Sequence, residues 1–200
     1  MKSPTMLVRI LIVAAALAVG NLQAQVQTYS VILNGPSESP PVASAGTGVA
    51  TIVLNIAAHT LAISMSFSGL TSGTTASHIH AATATAFSGT AGVATTTPTF
   101  AGFPLGVTSG TYSNTLDLTQ ASSYNPAFIT ANGGTTATAE AALISAIQQG
   151  KSYLNIHTGN NPGGEIRGFL IAVPEGGATF GFMLLGLAGL AATTRRLRRA

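Results

Sequence analysis

The chain contains no cysteine and no tryptophan, and only 6% of its 200 residues are charged. Without cysteine there is no thiol nucleophile, no thiolate metal ligand and no disulfide, so an exported form must rely on its hydrophobic core. A single aspartate, Asp117, leaves too few carboxylates for a calcium loop. Glycoside hydrolysis needs two facing carboxyl groups, yet Glu38, Asp117, Glu140 and Glu165 fall in different predicted elements. The G-x-S-x-G elbow, the P-loop and the H-E-x-x-H pattern are all missing. No catalytic constellation emerges, and the expected role is non-enzymatic.

The formal charge of +3 is a property of the ends. Arg195, Arg196, Arg198 and Arg199 lie at the C-terminus, and Lys2 and Arg9 at the N-terminus. Between them, Glu38, Asp117, Glu140 and Glu165 stand against Lys151 and Arg167, a net of −2. A mildly acidic middle without basic patches or aromatic ladders gives no reason to expect nucleic acid as a partner.

Each end carries an address. Lys2 and Arg9 precede the apolar run 10–20, and Leu22-Gln23-Ala24 ends on a small residue. Residues 1–24 therefore read as a signal peptide, with a signal peptidase cutting after Ala24. At the other end, residues 173–200 divide into a turn-like motif (Val173, Pro174, Glu175, Gly176, Gly177), an uncharged stretch 176–194 and a basic run 195–199. Nineteen residues of helix reach about 28 Å, enough to cross a bilayer core. The arginines would then stay on the cytoplasmic side. This tail resembles the PEP-CTERM sorting signals of Gram-negative bacteria, in the variant that opens V-P-[DE]-G-G. The resemblance implies handling by an exosortase-type membrane enzyme, transient anchoring in the inner membrane through the C-terminal helix, and delivery to the cell surface or beyond it.

Residues 25–172 form the domain proper, and its pattern is mostly β. Residues 26–34 make a first strand that ends at Gly35-Pro36, before a loop rich in Ser, Pro and Glu. Leu61, Ile63, Met65 and Phe67 alternate with small or polar residues, which is the period of a half-buried strand. Ile52, Leu54 and Ile56 offer the matching face, so residues 48–56 and 61–67 are expected to pair as a hairpin. Residues 135–149 are Ala-rich, with Ala139, Leu143, Ala146 and Ile147 at helical spacing and Gly150 as a C-cap. Residues 153–158 and 165–172 read as a closing hairpin through "GNNPGG". The expected fold is an antiparallel β-sandwich or Greek-key barrel with one Ala-rich helix, besides the N-terminal signal helix and the C-terminal transmembrane helix.

Two clusters invite chemistry. His78 and His80 lie two apart on a strand and so point to one face, while His157 shares its face with Tyr153 and Asn155 on another strand. If those strands meet, three imidazoles converge on a set that suits zinc or copper, a metalloprotein with redox activity open to it. The alternative is that each ring only hydrogen-bonds backbone carbonyls or neighbouring hydroxyls. His59 falls in a predicted turn and is assigned no role. Glu165 and Arg167, also two apart, are expected to form a structural ion pair, since arginine does not give up its proton.

"SHIHAA" (residues 77–82) followed by "YLNIHT" and "PGGEIRGFL" (residues 153–158 and 162–170) resembles the CHRD domain, named from chordin and also found in bacterial secreted proteins. The motifs that carry the likeness are His78-Ile79-His80, Asn155-Ile156-His157-Thr158 and Gly164-Glu165-Ile166-Arg167-Gly168, within residues 28–171. The resemblance implies an all-β sandwich with an extracellular binding or matrix role and no transferable enzymatic activity. Exopolysaccharide or another surface protein is the partner such a role suggests. The H-x-H strand also invites comparison with Cu/Zn superoxide dismutases, but four histidines, one Asp and no Cys cannot reproduce their two-metal site.

Overall fold

The computed structural model describes residues 26–174. The signal segment with Ala24, the motif residues Glu175, Gly176 and Gly177, the stretch 176–194 and the basic run all lie outside the described residues. Among the described residues no helix is long and apolar enough to cross a membrane.

Eight antiparallel strands run in the order β4-β6-β7-β1-β2-β3-β5, with the short β8 beside β1. They are β1 (Val26–Asn34), β2 (Thr47–Asn55), β3 (Thr60–Ser68), β4 (Thr74–His80), β5 (Gly110–Asp117), β6 (Tyr153–Thr158), β7 (Ile166–Phe169) and β8 (Ile171–Ala172). The antiparallel β architecture and its Ala-rich helix are as the sequence led one to expect. The strands do not divide into two sheets, however. They form one continuous sheet curled into a half-barrel.

The alternation read from β3 is the one the fold uses. Leu61, Ile63, Met65 and Phe67 are buried, while Ser64 and Ser66 face solvent. Partners in antiparallel register share a face. The inner layer therefore continues through Leu54, Ile52 and Ala50 on β2, Tyr29, Val31 and Leu33 on β1, and Leu116 and Tyr112 on β5. Helix α2 (Thr136–Gln148) closes the half-barrel with Ala139, Leu143, Ala146 and Ile147. The Thr135 hydroxyl caps its first turn and Gly150, at φ +67°, ends it. The short α1 (Pro126–Ala131) and the loop side chains Phe100 and Phe103 fill the rest.

Sheet closure depends on a close approach at Gly168. A Cβ there would collide with the Ile32 carbonyl oxygen and lie 2.9 Å from a Val31 methyl. Neither atom belongs to a side chain with room to swing away. Gly168→Ala is expected to cost about 3 kcal/mol, the upper end of overpacking penalties, as β7 is pushed off β1. Urea unfolding of the variant measures this, and a loss under about 0.5 kcal/mol, the range of neutral surface changes, would contradict it.

Candidate metal centre

Near β4, β6 and β7 the sheet is covered on both sides. Ile79, Leu154, Ile156 and Ile166 face the core. The opposite face carries a polar layer in register, with His80 opposite Tyr153, His78 opposite Asn155, and Asn155 opposite Arg167. His157, two residues beyond Asn155, completes the row. The loops around residues 91 and 98 and the 159–164 turn lie over this layer, so His78 and His80 are only 6% and 8% exposed.

The structure brings His78, His80 and His157 together. One nitrogen from each lies within 4.8 Å of one from each of the others. The ring centroids are 5.3–5.9 Å apart. Each ring also has one nitrogen against a backbone carbonyl: His78 Nε2 on Pro98 O at 2.6 Å, His80 Nδ1 on Ala91 O at 2.9 Å, and His157 Nδ1 on Pro162 O at 2.9 Å. A carbonyl oxygen can only accept, so the nitrogen facing it carries the hydrogen. In a neutral imidazole the other nitrogen then holds a lone pair. Those nitrogens, His78 Nδ1, His80 Nε2 and His157 Nε2, are buried and have no hydrogen-bond partner among the described residues.

Burial keeps the rings neutral. It lowers the pKa of His78 and His157, and brings His80 down to about 4 against the Ala91 carbonyl, with the other two rings and Arg167 adding repulsion. A first-row ion at 2.0–2.1 Å needs its nitrogens about 3.5 Å apart in a triangle, so from the widest spacing each must move inward by at most about 0.7 Å. The terminal torsion of histidine is broad enough for such a swing.

Neighbouring groups hold the triad in place. Tyr153 stacks on His80 with centroids 4.8 Å apart, and its hydroxyl donates to the same Ala91 carbonyl. The Arg167 guanidinium lies 4.6 Å over the Tyr153 ring. Glu38, in the proline-rich loop, places its carboxylate 3.7 Å from Arg167 Nε, and Arg167 Nε donates to the Ser37 carbonyl. Glu38 Oε1 and Asn155 Oδ1 also lack partners. Five of the six buried, unpartnered side-chain atoms among the described residues thus belong to this layer, the sixth being Ser152 Oγ. Native interiors leave few such atoms, so their concentration makes this layer the candidate site of the described residues.

The expected pair Glu165–Arg167 is not formed. Gly164, at φ +127°, turns the chain just before β7, so Glu165 enters on a bend rather than in strand alternation. Its carboxylate accepts from Ser44 Oγ, Thr71 N, Thr71 Oγ1 and Thr158 Oγ1 at 2.6–2.9 Å. Arg167 is left to Glu38, a residue the motifs did not single out. The signal was there in composition: in a domain this poor in charge, every charged residue is a candidate. His59, at φ 53° in its turn, contacts both oxygens of Glu140 at 2.9 and 3.0 Å and ties the β2–β3 hairpin to α2.

Burial raises the Glu38 carboxyl to about 7, against the pull of Arg167 and the Ser39 amide. Between its ordinary value near 4.5 and about 7 the folded chain holds a proton that the unfolded chain has lost. Stability from this group therefore falls as pH rises through that window, by up to about 1.4 kcal/mol per pH unit. Glu38→Gln should remove this slope. Unfolding wild type and variant at pH 5 and pH 8 tests it, and equal differences at both values would contradict it.

The fold and the site together define a mostly β domain with a buried polar layer on one side of its sheet. Residues 29–170 match the CHRD domain, and the chain belongs to that family. Such domains are typical of secreted and extracellular proteins. No curated protein and no solved structure matches the chain.

Proposed function

We propose that this protein is exported to the cell surface or extracellular matrix and that its CHRD domain binds a metal ion, zinc or copper, through His78, His80 and His157. One observation carries the reading: three imidazoles lie within ligating reach of one another, each with its N–H on a backbone carbonyl and its other nitrogen buried without a hydrogen-bond partner among the described residues. Fixing the outer nitrogen on a carbonyl is what metal-ligating histidines usually do. A set of purely structural rings would have no reason to leave all three inner nitrogens unpaired, at about 1–3 kcal/mol each. The role is to hold the ion rather than to catalyse. The signal segment, signal peptidase, the tail motif from Val173 and an exosortase-type enzyme supply the route, with the C-terminal helix as a transient membrane anchor. Elemental analysis of protein purified without chelator tests the binding. Near-stoichiometric zinc or copper, absent from His80→Ala, is expected, and no uptake even in excess ion would end the reading.

A second reading, contact with a neutral exopolysaccharide or another surface protein, is favoured by the outer face of β1, β2, β3 and β5. Ser30, Thr51, Ser64, Ser66, Thr111 and Ser113 are exposed there, and the one charged side chain these strands carry on that face is Asp117, at the end of β5. Retardation in gels containing neutral polysaccharide, unchanged by salt, is its signature. Unretarded migration would exclude it.

A further inference from the structure

We infer that the ion this centre is built to hold is monovalent copper, bound by the three imidazoles with no fourth protein ligand. The inference rests on the metal-binding reading above and adds the identity and charge of the ion.

The donor set is neutral. Each ring keeps its hydrogen on a carbonyl, so each contributes a lone pair and no charge. None of the four carboxylates of the described chain is among the donors. Glu165 is occupied by hydroxyls and the Thr71 amide, Glu140 by His59 and Asp117 by Thr119. Glu38 packs beside Gly164 and Asn155 and next to Arg167. A bound ion therefore keeps its full charge.

Its surroundings tolerate little charge. Tyr153 lies flat against His80, Phe100 sits 6.5 Å from His78 by ring centroids, and the Arg167 cation lies on the Tyr153 ring. The cost of burying an ion rises with the square of its charge, so a divalent ion pays roughly four times the desolvation of a monovalent one before Arg167 repels it further. Imidazole suits zinc and copper alike, but zinc also wants a fourth ligand, a water or an anion from outside the protein, whereas three nitrogens at the corners of a triangle satisfy cuprous ion. A site that prefers the monovalent state stabilises it against oxidation.

The test uses the full chain in mild detergent. Cuprous ion is titrated anaerobically against bicinchoninate with ascorbate present, and zinc separately against a chromophoric chelator. One equivalent of cuprous ion is expected, bound at least about a thousandfold more tightly than zinc. It should be lost in His78→Ala and His80→Ala and kept in Glu38→Gln. Zinc bound as tightly as cuprous ion, or more so, would overturn this inference and leave the metal-binding reading standing. Binding of neither ion would overturn both. Equal cuprous affinity in the histidine variants would show that the ion sits elsewhere.

Discussion

Glu165→Ala is expected to cost the domain about 4 kcal/mol at pH 7, the largest loss of any single side chain here. The carboxylate is fully buried, and among the described residues no cation pairs with it. Four donors converge on it from three separated parts of the chain: Ser44 before β2, Thr71 after β3, and Thr158 at the end of β6. Hydrogen bonds to a charged group contribute about 1.5–3 kcal/mol each, and truncation would leave the Thr71 amide and the hydroxyls facing a void. Set against a typical domain stability of about 5–15 kcal/mol, such a loss moves the unfolding midpoint far down in urea. Glu165→Gln should lose less, because one oxygen remains to accept. A midpoint within error of wild type for Glu165→Ala would show that the cluster rearranges around water.

The same carboxylate makes an acid-side prediction. Burial alone would raise its pKa, but the hydrogen bonds from Ser44, Thr158 and Thr71 outweigh it and hold the value below the ordinary 4.5. Its contribution is therefore complete above about pH 4.5 and is lost as pH falls through the depressed folded value. The stability difference between wild type and Glu165→Ala should shrink on going from pH 6 to pH 3. A difference that stays constant would mean that the carboxylate is not held ionised by its donors.

Metal should stabilise the domain by an amount set by mass action. At a hundredfold excess over Kd, zinc or copper is expected to raise the unfolding free energy by about 2.7 kcal/mol. The increment should vanish in His78→Ala, His80→Ala and His157→Ala. The metal-free variants are the sharper control. Each substitution removes one carbonyl hydrogen bond but also one buried, unpartnered nitrogen, and these oppose each other. Without metal, His80→Ala should thus lose less than the 2–5 kcal/mol of a large-to-small core truncation. Thermal melts with and without ion, on all four proteins, measure both effects. An increment that survives in every histidine variant would place the ion elsewhere.

Much of this was legible in the chain. Alternation in Leu61, Ile63, Met65 and Phe67, the C-cap Gly150, and the breaks at Gly35-Pro36 and in "GNNPGG" are local signals, and local signals survive in sequence because period and turn chemistry are properties of neighbouring residues. The spacing of His78 and His80 likewise determined that both point one way, and composition excluded thiol and calcium chemistry. The partners across space belonged to tertiary structure. Pairing of β4 with β6 placed His157 beside the other two rings, and the β6–β7 register set Asn155 between His78 and Arg167. A single turn at Gly164 sent Glu165 to Thr71 and Ser44 and left Arg167 to Glu38, more than a hundred residues away in the chain. One glycine at positive φ breaks the alternation on which the expected pair depended, and only the folded chain reveals which face each residue then reaches.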